Sequence, residues 1–430
     1  MSRRPLARFW TPVFAIGLLL VGATAQGQYV FTDVADEASL VALWKLNEAA
    51  GATTVANATS ASYSGTVVGT PTLGVASAMS TLGTAVRFSG AGGNRISVPY
   101  AAAINPDSYT IETWAQVQGD AGSFRSPLTS RANSPQRGYI FYAASDNTWQ
   151  YWGGPGWTTT TGPSVLQDQW VHLGATYDHG SRVRTFYING HPVATGTTTL
   201  NANTVNALTI GAGGDDGGSY QFNGAVDNVA VLNQALAHQN IANHYNAKSN
   251  YAAHVAASGP IAYWRLGEQA GTTAYNAVDV TKYAGTYGNV ILRQTATAFA
   301  DDIDTAASFA NATAKVTVNY NADLNPADSF AVEAWARVDG GEGDYRTVLS
   351  SRSSSGGTYG FTIYANQSNQ WEFRTGGGLG ATAWTETAGS AVVGGQWAHV
   401  VGVYDATAQA QRFYVNGAMV ASKSGVLYAP

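Results

Sequence analysis

Trp170-Val171-His172, Tyr177-Asp178 and Phe186-Tyr187-Ile188-Asn189-Gly190 return as Trp397-Ala398-His399, Tyr404-Asp405 and Phe413-Tyr414-Val415-Asn416-Gly417. Each residue recurs 227 positions further on, as 170 is to 397. In the first copy Val171, Leu173 and Ala175 alternate with Trp170, His172 and Gly174, the period of a strand with two distinct faces. Asn189-Gly190 and Asn416-Gly417 suit a type I′ hairpin turn, since Asn and Gly both tolerate positive φ. Each copy therefore reads as strand, loop, strand and tight turn, and the chain reads as a tandem repeat.

Working outward, the repeat extends over most of the chain. Trp264 answers Trp44, Phe309 answers Phe88, Trp335 answers Trp114, Arg352 answers Arg131, and Trp371 answers Trp149. Strands are predicted at 41–47, 85–88, 95–98, 109–117, 125–131, 138–143, 149–152, 170–178, 185–189, 207–211 and 222–232. Gly, Pro, Asn, Asp and Ser fill the intervals, which is turn chemistry. Many alternating strands without long helices predict a two-sheet sandwich. One short helix should close the first copy: Asn233 is placed to cap it, and Ala237, Ile241 and Tyr245 share one face.

These residues resemble the laminin-G-like, concanavalin A-like jelly-roll domain in its bacterial form. The resemblance rests on the Trp-x-His strand, the Tyr-Asp pair and the Tyr-(Ile/Val)-Asn-Gly turn. The openings Leu43-Trp44-Lys45-Leu46-Asn47-Glu48 and Tyr263-Trp264-Arg265-Leu266-Gly267-Glu268 carry it too, as does the closing run from Phe222 to Val231. It implies an all-β protein of two tandem concanavalin A-like β-sandwiches, with one short helix closing the first. The expected layout is a signal peptide at 1–25, a first domain at 29–248, a linker at 249–260 and a second domain at 261–430. Such domains serve as lectin-like binders, adhesion modules and passengers on enzymes, so the fold alone does not choose among them.

The second copy is shorter at its end. The first continues from Gly190 through a closing strand and helix to Tyr245, whereas the second has 13 residues after Gly417. The closing strand normally lies beside the opening one, so Tyr263–Gly267 is expected to have a vacant neighbour. A fragment of a longer protein is the favoured explanation, an impaired domain the other, because an open apolar edge invites aggregation.

Composition bounds the function. Charged residues are 11% of the chain, 49 of its 430 residues are Gly, and it has no Cys. Disulfides and thiolate metal sites are thereby excluded. Arg3, Arg4 and Arg8, the apolar run Phe14 to Val21 and Ala23-Thr24-Ala25 have the three-part form of a secretory leader. Removing it takes three of the 22 basic residues and none of the 27 acidic ones, leaving a formal charge of −8. That balance argues against nucleic acid and anionic membrane surfaces as partners, and no other segment is apolar enough to span a membrane.

Catalytic patterns are missing: no Gly-x-Ser-x-Gly elbow, phosphate loop, His-Glu-x-x-His motif or Glu-x-Asp-x-x-Glu strand is present. Glu112 and Glu333 stand as single carboxylates, where glycoside hydrolysis needs an opposed pair. The expectation is a secreted, non-catalytic protein that binds a polysaccharide or cell-surface glycan. Two alternatives stand beside it: a structural spacer of a larger surface protein, and the ancillary region of a glycan-degrading enzyme.

Candidate sugar contacts come from two places. The strand pattern turns Trp114 and Trp335 away from the core, with Arg131 and Arg352 on neighbouring strands. The other reading of this face is structural, with its charges paired and its Trp covered by loops. The Gly/Pro-rich stretch Tyr151 to Trp157 adds Trp152 and Trp157, and Trp384 corresponds to Trp157. The resemblance also implies a structural Ca²⁺ in the first domain, with Glu48, Asn57 and Asp227 as side-chain ligands. Asp215-Asp216 and Asp301-Asp302-Ile303-Asp304 read as solvated loop carboxylates.

Overall fold

A computed structural model describes the backbone of residues 13–22 and, with side chains, residues 30–215, 218–295, 297–299 and 301–430. Arg3, Arg4, Arg8, the Ala23–Ala25 cleavage motif, the domain start at Tyr29 and Asp216 lie outside the described residues. Two sandwiches follow one another, as the repeat predicts.

In the first, one sheet runs, in spatial order, Thr158–Ser164, Thr148–Gly153, Gln136–Ala143, Arg125–Asn133, Leu208–Ile210, Arg95–Val98, Gly65–Val68, Thr54–Val55. The facing sheet runs His191–Thr197, Val183–Ile188, Trp170–Tyr177, Tyr109–Val117, Asn223–Leu232, Thr84–Ser89, Thr72–Ala76. Leu40–Trp44 pairs beside the closing strand Asn223–Leu232. Alternate residues of each strand meet between the sheets, where Trp44, Phe88, Ile111, Phe141, Trp149, Tyr151 and Phe186 form one core. A fully buried aromatic of this kind contributes about 1.5–3 kcal/mol, so these side chains hold the sheets face to face.

Helix α1 (His238–Asn246) follows the closing strand. Its cap residue is Ala237, without a side-chain hydrogen bond, so Asn233 does not cap it. The segment expected to be a linker contains a second helix, α2 (Asn250–Ala257), whose N-terminus is capped by the Ser249 hydroxyl accepting from the Ala252 N–H. Among the described residues no helix is long and apolar enough to cross a membrane.

The second sandwich departs from the first at two places. The counterparts of the first domain's eight-stranded antiparallel sheet are split into Thr273–Ala274, Gly285–Gly288, Lys315–Val318 on one side and Arg346–Ser353, Gly357–Ala365, Gln370–Thr375, Thr385–Ala391 on the other. In the other sheet the expected vacancy beside Ala262–Trp264 is filled: Val13–Gly22 forms a strand there. Its register copies that of Asn223–Leu232. Asp227 lies opposite Trp114 and Ala230 lies between Leu43 and Glu112. Likewise Ile16 lies opposite Trp335 and Leu19 between Tyr263 and Glu333. Both strands carry their irregularity just after the residue that faces the Trp.

The sandwiches meet through a buried ionic cluster. Arg265 donates from Nε to Asp304 at 2.6 Å and from Nη2 to Asp302 at 2.8 Å. Tyr245 of α1 donates to Asp304, and Ser249 donates to Asp302. Asp301 accepts from the Ser80 hydroxyl. The expectation of a solvated acidic run is therefore corrected, since Asp302 and Asp304 are buried and paired. Nearby, His191 stacks on Tyr275 with ring centres 5.3 Å apart, and His238 meets the same Tyr275 edge-on. Burial pushes His191 down to about 3 and His238 to about 4, so both imidazoles are neutral.

Candidate ligand-binding face

The outward face of Arg125–Asn133, Gln136–Ala143 and Thr148–Gly153 carries what the core does not use. Leu128, Tyr139, Phe141, Trp149 and Tyr151 point inward, which turns Ile140, Tyr142 and Trp152 outward. The strands approach closely at Gly138, where φ is 88° and a Cβ would stand 1.9 Å from the Ser130 carbonyl oxygen. Gly360 repeats this in the second domain.

Arg131 organises the site. Its Nε donates to Asp215 at 3.0 Å, and its guanidinium carbon lies 4.7 Å from the centre of the Trp157 ring. Asp215 is an exposed loop carboxylate, as expected, and it also serves as an ion-pair partner of Arg131. Trp157 donates from Nε1 to Asn133 at 3.0 Å, and the Asn133 N–H donates to Asp215 at 2.8 Å, closing a ring of contacts. Trp152 donates to Gln150 at 2.8 Å. It meets Tyr142 and Phe124 edge-on, with centres 5.4 and 5.6 Å apart. Tyr220, 42% exposed, leans against both Phe124 and Tyr142. Burial raises the Tyr142 hydroxyl well above its ordinary range, so it stays a neutral donor. Beside this patch a cavity of about 450 Å³ opens along Asp120, Ser145, Phe124 and Tyr220.

The second domain repeats the arrangement with different side chains. The Arg352 guanidinium lies 5.9 Å from the Trp384 ring and 6.0 Å from Tyr364. Arg374 replaces Trp152, since Thr362 faces Arg374 as Ile140 faces Trp152. It donates to Tyr345 at 2.8 Å and pairs with Glu372 and Glu386. Tyr345 and Tyr364 stand where Phe124 and Tyr142 stand in the first domain, with ring centres 5.2 Å apart. Both faces offer aromatic planes beside a fixed guanidinium. That arrangement suits the apolar C–H faces and hydroxyls of a sugar.

Trp114 and Trp335 do not join these faces; they sit on the other sheet of each sandwich. Trp114 is 3% exposed, stacked on Tyr245 of α1 at 5.7 Å and against His172 at 5.1 Å. Trp335 packs on His399 and Phe299 and donates to the Tyr251 hydroxyl at 3.0 Å. Strand alternation correctly turned them off the core, but α1 and α2 cover that surface. Of the seven proposed contacts, Arg131, Trp152 and Trp157 come together in one domain and Arg352 and Trp384 in the other. Sequence reading missed Phe124, Tyr142, Asp215 and Tyr220, and in the second domain Tyr345, Tyr364 and Arg374. Tyr142 and Tyr364 lie on the same alternation as Ile140 and Thr362, a signal that was available.

Under α1 lies a closed polar cluster. His244 contacts Glu112 through Nδ1 at 2.8 Å and Glu37 through Nε2 at 3.0 Å, and His172 contacts the other Glu112 oxygen at 3.0 Å. Burial alone would lower His244, but Glu112 and Glu37 reverse this and raise it to about 9. Burial alone would raise Glu112, but His244 and His172 bring it to about 2. Glu112 is 2% exposed, so this cluster fastens the helix to the sheet and is closed to substrate.

The proposed metal ligands fit a cation unevenly. The Asn57 carbonyl oxygen already accepts from the Thr59 N–H, the Thr59 hydroxyl and the Ser60 N–H, so Asn57 is corrected to a turn-capping role. Asp227 accepts from Ser77 and Asn228, and burial lifts it to about 7. Glu48 accepts the Ala56 N–H through Oε1, while its Oε2 is buried without a hydrogen-bond partner. In the second domain the Tyr287 hydroxyl donates to the corresponding oxygen of Glu268. Val67 stands at that place in the first domain and cannot donate. No group of three His, Cys, Asp or Glu suited to a metal occurs among the described residues.

Several solved structures resemble this chain in part. Domain 4 of AbnA, an extracellular GH43 arabinanase from Geobacillus stearothermophilus solved with arabinotriose, matches at 18% identity and TM-score 0.37, covering 48% of this chain and 98% of that domain. Trypanosoma rangeli sialidase in complex with DANA matches at 14% identity and TM-score 0.39, over 50% of this chain and 33% of the sialidase. The CBM40 of a Ruminococcus gnavus sialidase matches at 13% identity and TM-score 0.30, over 36% of this chain and 94% of that module. No match is found among curated proteins. The sequence model of the concanavalin A-like lectin/glucanases superfamily matches residues 90–242 and 310–430, more than half of the chain. The chain belongs to that superfamily.

Proposed function

We propose that this protein binds carbohydrate without catalysing its hydrolysis, and that the first-domain face around Arg131, Trp152 and Trp157 is its main binding surface. The observation that carries this reading is the Arg131–Trp157 stack, a half-buried Trp held over a guanidinium that is fixed by Asp215. A ring held in place loses little freedom when a sugar stacks on it, and the guanidinium orients hydroxyls or a carboxylate. The Arg131–Asp215 pair at the face is already neutralised by contact, whereas hydrolysis asks for two carboxylates opposed across a cleft. The second domain would bind the same class of ligand through Arg352, Trp384 and Arg374, and the ionic cluster between the domains would hold the two faces in one orientation.

The leader-like composition of the N-terminus supports export and a working site outside the cell, and a leader removed after Ala25 would take the strand Val13–Gly22 out of the second sandwich of the exported chain. A structural Ca²⁺, narrowed to Glu48 and Asp227, is part of the proposal: when bound it would neutralise two carboxylates near the opening and closing strands. The test of the main reading is affinity electrophoresis of the full chain through gels containing neutral and acidic polysaccharides. Retardation by at least one, lost in Trp157→Ala at unchanged melting temperature, is expected. Equal retardation of wild type and Trp157→Ala would remove this face as the binding site.

A further inference from the structure

On the first-domain face, Asp215 offers acceptors beside the donors of Arg131. Its Oδ1 accepts from Arg131 Nε at 3.0 Å, and its Oδ2 accepts from the Asn133 N–H at 2.8 Å. Each carboxylate oxygen can accept two hydrogen bonds. The Asp215 side chain is 40% exposed, so it keeps acceptor capacity toward a ligand. Arg131 has committed Nε to Asp215, and its Nη1 lies 3.5 Å from the Tyr142 hydroxyl. Arginine grips a carboxylate through two parallel N–H donors. With Nε taken, the edge of the guanidinium that carries it is closed to a second carboxylate. The Nη donors that remain suit single hydroxyls.

The charge around the aromatic planes adds to this. Among the described residues Arg131 is the one cation in contact with those planes. Arg125 is fully buried, with its donors committed to the Ser123 and Gly119 carbonyls and to Asn147. Arg137 shares the inward alternation of Tyr139 and Phe141. Carboxylates are nearer to hand. Exposed Asp146 accepts from Gln150, which accepts from Trp152, and Asp120 lines the cavity beside Phe124 and Tyr220. A ligand carboxylate laid on the Trp157 ring would therefore meet a guanidinium that is already paired, with the Asp215 carboxylate beside it. Like charges so placed act against the wrong partner.

We propose that the first-domain face selects neutral glycans that carry adjacent free hydroxyls, and that Asp215 sets this choice. One hydroxyl of the pair accepts from an Nη of Arg131, its neighbour donates to Asp215, and the sugar's C–H face lies on Trp157. Uronates and sulfated sugars are turned away by the same carboxylate. The inference rests on the carbohydrate reading of this face and narrows it to a ligand class.

The test runs the full chain through affinity gels of pullulan, galactomannan or β-1,4-galactan, each beside its own C6-carboxylated derivative. Charge then changes while linkage does not. A linear β-1,3-glucan, whose linkage removes the adjacent pair, is the neutral control. At least one parent polymer should retard the chain, and the β-1,3-glucan should not. The carboxylated form should bind at least about tenfold more weakly than its parent, through the like-charge contact. In Asp215→Asn that gap should shrink to about threefold or less, at unchanged melting temperature. Asp215→Ser should shrink it likewise, without supplying an amide donor. Equal or tighter binding of the carboxylated form by the wild type would overturn the proposal, as would a gap unchanged in both variants. Retention by the β-1,3-glucan would overturn the requirement for adjacent hydroxyls. Retardation by acidic polysaccharides alone would overturn the selectivity and leave the face a sugar site, whereas no retardation by any polymer, neutral or acidic, would overturn both.

Discussion

The guanidinium of Arg131 lies over the ring of Trp157 at 4.7 Å while its Nε is held by Asp215 at 3.0 Å. The contact joins Arg131 of one sheet strand to a loop residue beyond the next two strands, and it fixes the ring that a sugar would meet. Trp157→Ala should reduce polysaccharide binding by about 1–2 kcal/mol, roughly tenfold, with melting temperature nearly unchanged. Arg131→Lys tests the geometry separately. It keeps the charge but loses the planar fork, so binding should weaken while net charge is constant. Titration calorimetry on the best-retarded polysaccharide measures both.

His244 is sandwiched between Glu112 and Glu37, and its environment predicts the pH dependence of the first domain. Its folded value of about 9 lies above its ordinary 6.5. The stability it contributes is therefore complete below about 6.5 and is lost as pH rises through 9. Glu112 is displaced the other way, from 4.5 to about 2; its contribution is complete above about 4.5 and is lost as pH falls through 2. Denaturant melts should show greatest stability between these limits. His244→Ala should cost about 3–5 kcal/mol by leaving Glu112 with one fewer cation in a buried site, and it should flatten the alkaline limb. An unchanged alkaline limb in that variant would show that another group sets it.

The strands were legible because a half-buried strand writes its period into the sequence. Ile111 and Ala115 are core residues in the positions the alternation assigned, and Thr113 between them is buried as well. What covers the other face was not legible. Trp114 and Trp157 are both off-core tryptophans, yet Tyr245 of α1 buries the first, while Asn133 and Arg131 hold the second at the surface. That difference depends on where a helix far along the chain docks. The acidic run at Asp301–Asp304 shows the same limit. Its partner Arg265 lies 37 and 39 residues earlier, beyond the reach of any local charge pattern. The candidate site was half legible for a related reason. The Gly/Pro loop announced Trp152 and Trp157, but Phe124, Asp215 and Tyr220 arrive from separate loops that only the sheet order brings together.

Calcium is tested through linkage. Glu48 keeps a buried carboxylate oxygen without a hydrogen-bond partner, and Asp227 is a buried carboxyl displaced upward by burial. A cation bound by the folded state alone raises its stability by about 2.7 kcal/mol at a hundredfold excess over Kd. The full chain should melt higher in millimolar Ca²⁺ than in EDTA, and Glu48→Gln should abolish the difference. Superimposable melts would exclude a structural calcium at this place.

The strand Val13–Gly22 stands in the second domain where Asn223–Leu232 stands in the first, in the same register against three neighbours. In the first domain Ala225, Val226, Val229, Ala230, Val231 and Leu232 of that strand are all buried, and each large aliphatic among them contributes about 1.5–3 kcal/mol. Whole-domain stability is only about 5–15 kcal/mol. A chain beginning at Val30 therefore removes a strand whose place is worth much of what the second domain has. It should melt in two steps, the second domain first, and bind a hydrophobic dye before the first domain unfolds. A peptide with the sequence of residues 222–232 should restore the lower transition toward the upper one, because it carries the register the slot already accepts. The full chain should show the second-domain transition at higher temperature than the shortened one. Identical calorimetric traces for the two chains would mean that Phe330–Val338 does not need a neighbour on that side, and the strand at 13–22 would then contribute nothing to holding the second sandwich closed.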